Sequence, residues 1–401
     1  MPGDPVRVTF AMTHPVQYYS PWFRYIAANR KDVDLRVIYA TVPTPKQQGV
    51  GFDTSFEWDI SPLEGYHSEV LRAARESDYL HSDKPFGLHV PEIGTAIRRS
   101  RPDAVVIPGW YSVTLIEALT TCKLFGLPCV YRGDTPMPRT AAGVRNTLWA
   151  AKTRLMLALY ASYLTVGKRN RQYLNHFGVR DAAIHFAPNC VDNDRFKASA
   201  EFAQTSPGRN SVRERLGIPA DSFAVLFVGK LDENKRPWDV IAAVANLGEK
   251  ATAVIVGSGP SAERCRAEVQ RTGAHAVFAG FVNQSGLGEI YGACDACVLP
   301  SKSETWGLVV NESLASGTPC VVSQGVGCAP DLIIQEKTGD VFTTGDVRGL
   351  ATALSRIRDA KSKGHDFKEE CQRVVSGYSL EVATEGLVAA VRSVARSTRN
   401  A

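Results

Sequence analysis

Two acids eight residues apart, Glu304 and Glu312, stand in the run Ser303-Glu304-Thr305-Trp306-Gly307-Leu308-Val309-Val310-Asn311-Glu312-Ser313-Leu314-Ala315-Ser316-Gly317-Thr318-Pro319. Gly307 permits a tight loop, helix-competent residues follow it, and Gly317 with Pro319 makes a helix stop. Glu304 therefore falls just before a helix and Glu312 inside it. Eight helical residues rise about 12 Å, an upper figure because part of the stretch is loop. That span suits a ligand with two polyhydroxylated ends, a hexose and a ribose, joined through phosphates. The helix start between the acids offers those phosphates free N–H groups and a positive dipole. The same spacing also fits a helix cap followed by a surface acid.

A second cluster lies upstream, where the apolar run ending Phe227-Val228-Gly229 is followed at once by Lys230, Lys235 and Arg236. Cations at the carboxyl end of a buried strand are well placed to neutralise a diphosphate leaving group. Ion pairs to Asp232 and Glu233 in a solvated turn are the alternative.

Both clusters need strands that end where loops can meet a ligand. Short apolar runs alternate with helical stretches throughout, the pattern of parallel sheets covered by helices. The first half gives Val6 to Phe10, Val33 to Tyr39, Ala104 to Pro108 and Cys129 to Tyr131. The second gives Phe223 to Gly229, Ala253 to Gly257, Ala296 to Leu299 and Pro319 to Ser323. Ligands bind such sheets beyond the carboxyl ends of the strands. Residues 197–211, polar and containing Ser206-Pro207-Gly208, read as a linker between domains at 1–196 and 212–379. A final helical pattern over 380–401 is expected to pack back on the first domain.

The 401 residues exceed what one core usually serves, and 44% hydrophobic with 22% charged residues excludes a disordered or fibrous class. A net charge of +5 is too small to imply nucleic acid. The amino terminus shows no secretory pattern and no 18 consecutive apolar residues occur, so a cytoplasmic protein is expected. Nine scattered cysteines read as buried hydrophobes. Cys294 and Cys297 form a CxxC without a second metal-binding pair, and Cys297 opens a strand. From Arg139 to Arg180 eight Lys or Arg occur without an acid, interleaved with aromatics. Residues 139–180 thus suit peripheral contact with an anionic membrane, at its inner face, contact with an anionic acceptor, or a solvated helix face.

Taken together, residues of the second half resemble family 4 of the retaining glycosyltransferases. Glu304 and Glu312 match that family's E-x7-E motif, and Gly317-Thr318-Pro319 matches its ending. Pro188-Asn189-Cys190-Val191-Asp192 before Phe196, Gly229-Lys230 with Lys235, Gly257-Ser258-Gly259-Pro260 and Gly280-Phe281-Val282 extend the match over about residues 185 to 345. The resemblance implies a GT-B fold, two Rossmann-like α/β domains whose parallel sheets face a cleft. It implies transfer of a sugar from a nucleotide-diphosphate sugar to an acceptor hydroxyl, with no cofactor and no obligatory metal. Lys230 and Lys235 would bind the diphosphate and Glu304 the sugar hydroxyls. Trp306, Gly307 and Leu308 would contribute backbone amides, Glu312 would hold the ribose, and Val282 and Gly259 would line the nucleotide. The triplet Asp192-Asn193-Asp194 then belongs to the Asn-x-Val-Asp pattern rather than to a metal site.

The first half departs from the family. Its opening loop, Ala11 to Tyr18, lacks the usual glycine pair at the phosphate, where His14 and Gln17 could substitute. After Cys129-Val130-Tyr131 a histidine is usual, and Asp134 stands there instead. Asp134 could accept from a sugar hydroxyl or pair with Arg132. A GT-B epimerase and a non-catalytic sugar-nucleotide-binding protein are the competing readings. The acceptor, whether a carbohydrate, a lipid-linked sugar or a small molecule, is left open.

Overall fold

The computed structural model of the protein describes residues 4–78, 87–137 and 144–399. The chain divides into two units, one of residues 1–44, 61–189 and 380–401, the other of residues 45–60 and 190–379.

The first unit is built on a parallel sheet in the order β3-β2-β1-β4-β5-β6-β7. Its strands are β1 (Val6–Met12), β2 (Val33–Tyr39), β3 (Ser68–Val70), β4 (Ala104–Ile107), β5 (Cys129–Gly133), β6 (Ser162–Thr165) and β7 (Ile184–Phe186). β4 and β6 are buried at every position, because helices cover both faces and no polar alternation is tolerated. The strand order reverses between β1 and β4, so the loops after those strands diverge and leave a crevice. The helix Leu380–Arg399 packs on β6 and β7, and Trp22 Nε1 donates to its Thr384 Oγ1 at 3.0 Å.

The second unit has the order β10-β9-β8-β11-β12-β13, also parallel throughout. Its strands are β8 (Phe223–Val228), β9 (Ala251–Val256), β10 (Ala276–Gly280), β11 (Ala296–Leu299), β12 (Cys320–Ser323) and β13 (Gly339–Phe342). Here the order reverses between β8 and β11.

Two features differ from the reading of the sequence. Residues 197–211 are not a linker: they lie in the helices Asn193–Gln204 and Ser206–Leu216, with Thr205 alone between them. Thr205 Oγ1 accepts from Gly208 N at 3.2 Å, and Pro207 sits in the first turn, where its missing N–H has no partner to lose. The first unit breaks off at Asn189 and resumes at Leu380, and the second also claims residues 45–60 from the first half. Lys368–Ala395 is long and apolar enough by composition to cross a membrane. In the fold it forms two helices, Lys368–Ser376 and Leu380–Arg399, which bury Cys371, Val375, Leu387 and Val391 in protein.

Of the basic, aromatic segment 139–180, residues 139–143 lie outside the described residues. The helix Val144–Leu157 exposes Leu148, Trp149 and Leu155.

Candidate functional site

The carboxyl ends of β8 and β11 carry the two clusters. After β8 the chain turns around Asp232, whose carboxylate accepts from Asn234 N (3.0 Å) and Lys235 N (2.8 Å). Glu233 pairs with Arg264, and Arg236 grips the buried Asp239 with bonds of 2.7 and 2.9 Å. Arg236 and Glu233 are thus paired with other partners, while Asp232 stays beside the lysines, holding the turn through the Lys235 amide. Lys230 Nζ donates to Val50 O at 2.9 Å and lies 5.2 Å from the Phe52 ring centroid. Burial draws its pKa below the ordinary lysine value, opposed by Asp232 and reinforced by Lys235.

Lys235 Nζ lies 2.6 Å from Glu304 Oε1, joining the loop after β8 to the loop after β11. Asn234, which the sequence reading passed over, stitches the same loops. Its Nδ2 donates to Ser303 O (2.9 Å), its Oδ1 accepts from Ser303 N (3.1 Å), and its carbonyl accepts from Lys302 N (2.7 Å). A side-chain amide in a polar turn gives no hint of this until the two strands are adjacent.

Glu304 does not cap the following helix. Gly307 holds that position at φ 103°, and a Cβ there would meet Leu299 Cδ2 at 2.8 Å, so only glycine fits. No side chain caps Leu308–Ala315; Val310 N donates to the Gly307 carbonyl at 2.9 Å, and the amides of Leu308 and Val309 at the helix start have no intrahelical acceptor. Trp306 is buried and donates Nε1 to Asn311 Oδ1 at 2.8 Å, which fixes the loop into the helix. Glu312, in the helix's second turn, accepts from the buried Tyr291 hydroxyl at 2.8 Å. Burial pushes its carboxyl up to about 7, against the lowering effects of Tyr291, Arg195 and Lys235. Glu312 is therefore not a surface acid. Tyr291 gave no sign in the sequence, being an aromatic residue in an apolar helical run.

Gly259, φ 146°, closes the other side. A Cβ on it would lie 2.7 Å from Leu231 O and 3.0 Å from Gly51 O, so the loops after β8 and β9 touch through backbone. Val282 follows β10, half-buried beside Gly286. The second unit thus gathers Lys230, Lys235, Glu304 and Gly259 around the β8–β11 reversal, with Glu312 within the electrostatic reach of Lys235.

His14 and Asp134 belong to the first unit. Thr13 Oγ1 bridges His14 Nδ1 (3.0 Å) and the Tyr111 hydroxyl (2.9 Å) after β1 and β4. Asp134 follows β5, and its charge adds to the burial that raises Tyr18 and pushes Tyr111 up to about 12. Arg132 is directed elsewhere, donating to Ala187 O (2.6 Å), Asn189 Oδ1 (3.1 Å) and the Tyr19 hydroxyl (3.2 Å). Tyr18, Tyr111 and Asp134 thus form a small hydroxyl and carboxylate cluster, of which the sequence reading held only the acid.

The remaining motifs are structural. Asp192 caps the helix Asn193–Gln204, accepting from Arg195 N at 3.0 Å. Cys294 and Cys297 are buried free thiols, and burial pushes Cys294 up to about 12. Among the described residues no three His, Cys, Asp or Glu side chains converge as a metal set.

Residues 208–374 match the family model described as glycosyl transferases group 1. The D-inositol 3-phosphate glycosyltransferase of Thermomonospora curvata is 27% identical over 270 residues, 63% of this chain and 60% of the relative. The sulfoquinovosyl transferase SQD2 of Arabidopsis thaliana is 37% identical over 334 residues, 80% of this chain and 63% of the relative. The chain spans 60 to 64% of the length of the D-inositol 3-phosphate glycosyltransferases first matched. Among solved structures, Anabaena HepE in complex with UDP and glucose superposes with a TM-score of 0.70 at 15% identity, covering 97% of this chain and 100% of that one. Sucrose-phosphate synthase of Thermosynechococcus elongatus gives 0.72 at 18%, covering 98% and 100%. The fold is therefore of the GT-B class, two Rossmann-like α/β units with parallel sheets.

Proposed function

We propose that the chain is a retaining glycosyltransferase of the family 4 type, holding a nucleotide-diphosphate sugar on its second unit and passing the sugar to an acceptor hydroxyl. The observation that carries this reading is the Lys235–Glu304 ion pair at the β8–β11 reversal, beside Lys230 and a helix start without a side-chain cap. Two cations at that point match a diphosphate, and an acid paired to one of them can accept from sugar hydroxyls while the lysine turns to phosphate. Glu312, supported by Tyr291, supplies an acceptor for ribose hydroxyls one helical turn further on.

In the reaction the bond between the anomeric carbon and the phosphate oxygen breaks, and the acceptor oxygen bonds the same face. The acceptor proton passes to the departing phosphate, so no protein nucleophile is needed. Lys230 and Lys235 stabilise the charge growing on that phosphate, the dominant kind of contribution in such transfers. Asp134, with Tyr18 and Tyr111, receives hydroxyls on the first unit. The reaction uses no cofactor and no obligatory metal. UDP, the nucleotide in the HepE structure, is the first to try, and the sugar is passed to a cell-surface polysaccharide or glycoconjugate.

A thermal-shift screen across nucleotide sugars tests the donor site, since a ligand that binds only the folded state raises its melting temperature. One donor should stabilise the wild type and not Glu312→Ala. Equal stabilisation of both would remove Glu312 from the site.

The exposed Leu148 and Leu155 share a helix face with Lys152, which favours docking on an anionic membrane at the cytoplasmic side. Flotation with phosphatidylserine vesicles should carry the wild type and lose Leu148→Asp/Leu155→Asp. Equal flotation of both would refute the contact.

A further inference from the structure

Residues 45–60 leave the first sheet between β2 and β3 and count with the second unit, where they run as a strap from Lys230 to the neighbours of Val282. At one end Val50 O accepts from Lys230 Nζ (2.9 Å) and Phe52 O accepts from Ser258 Oγ (2.5 Å). At the other, Glu57 O accepts from Asn283 Nδ2 (2.7 Å), and Asp59 accepts from Ser285 N (3.0 Å) and its hydroxyl. Between them Phe52 and Phe56 pack on Phe281, with centroids 5.4 and 4.3 Å apart.

We propose that this strap is a wall of the nucleotide-sugar site, with the backbone of Gly49-Val50-Gly51 at the diphosphate and the Phe52, Phe56 and Phe281 surface at the nucleobase. The inference rests on the donor reading of the second unit. The strap brings the backbone of Val50 and Gly51, within the same unit, directly against Lys230. Gly51 has φ 87°, and a Cβ on it would lie 2.9 Å from Lys230 Nζ. A side chain at 51 would have to adopt that left-handed φ and push the lysine ammonium aside. The strap also leaves Lys230 its charge, because its partner is a neutral carbonyl and not a carboxylate. A lysine ammonium has three donors, and Val50 takes one. At the base end the rings, edge-on at Phe52 and tilted between Phe56 and Phe281, remain half-buried, so a planar base can pack on them. The buried Trp58 Nε1, without an acceptor among the described residues, adds a donor for a base carbonyl.

The test uses the full chain with UDP, GDP and ADP in calorimetry, and hydrogen exchange of residues 49–58 with and without the tightest of them. Gly51→Ala and Phe56→Ala should each weaken binding about tenfold or more, and nucleotide should slow exchange across 49–58 in the wild type. Unchanged or tighter binding by both variants overturns the proposal, tighter binding marking the strap as a plug that the nucleotide displaces. Should a variant fail to fold, unchanged or faster exchange in the wild type overturns it alone. If no nucleotide binds the wild type, the donor reading falls and the wall with it. If one binds and Glu312→Gln weakens it while the strap variants and exchange are unmoved, the wall alone falls.

Discussion

Replacing Tyr291 with Phe isolates the electrostatics of Glu312. The phenol donates to Glu312 Oε2 at 2.8 Å, and burial already holds the carboxyl at about 7. Tyr291→Phe removes the donor that favours the anion and keeps the ring packed 6.1 Å from that of Phe196. A hydrogen bond to a charged group contributes about 1.5–3 kcal/mol, so at about 1.4 kcal/mol per unit the pKa rises by about one to two units. Ribose hydroxyls donate to the carboxylate, so binding needs the anion. Affinity for UDP in the wild type should climb about tenfold per pH unit below 7 and level off above it. In the variant the level region moves to about pH 8–9, and binding at pH 7 weakens about five- to fiftyfold, the gap closing by about pH 9. Calorimetric titration of both proteins from pH 6 to 9 reads this directly, and ionisation of the nucleotide's own phosphate cancels at equal pH. Stability runs the other way. The folded carboxyl keeps a proton that the unfolded one loses near pH 4.3, so the proton's contribution is full below that value and is lost as pH rises through 7. Superimposable affinity profiles, or a weakening at pH 9 equal to that at pH 7, would refute the role given to the pair.

Further outcomes follow from the same geometry. Lys230→Ala and Lys235→Ala should each reduce turnover by about 10²–10³, measured as nucleoside diphosphate released, because each removes a charge facing the leaving group. Sugar released from an α-linked donor should appear first as the α anomer by proton NMR, and initial β anomer would contradict same-face attack. Asn234→Ala breaks both side-chain bonds between the loops after β8 and β11, and should cost about 1–3 kcal/mol in urea unfolding while weakening donor binding.

The sheets were legible because strands such as Phe223–Val228 are apolar at every position and end at glycine, a pattern that helices on both faces impose. The Glu304 and Glu312 positions were legible for a similar reason, since Gly307 and Gly317 punctuate a short helix. The false linker arose because Ser206-Pro207-Gly208 has the composition of a breaker, and a first helical turn tolerates all three. What stayed hidden depends on residues far apart in sequence. Val50 meets Lys230 across 180 positions, Asn234 meets Ser303 across 69, and Tyr291 meets Glu312 across 21. The strap has neither a helical nor a strand period, so its place on the second unit is set by these contacts and the aromatic packing on Phe281.

The most direct test of sugar transfer is the release of nucleoside diphosphate from a panel of nucleotide sugars, with the wild type beside Lys230→Ala. One donor should be consumed by the wild type, slowly in water and faster with its acceptor, and the variant should be slower by at least about a hundredfold. Release from none of the panel, or equal rates from both proteins, would contradict the assignment of the second unit as a sugar-donor site with Lys230 at the leaving phosphate.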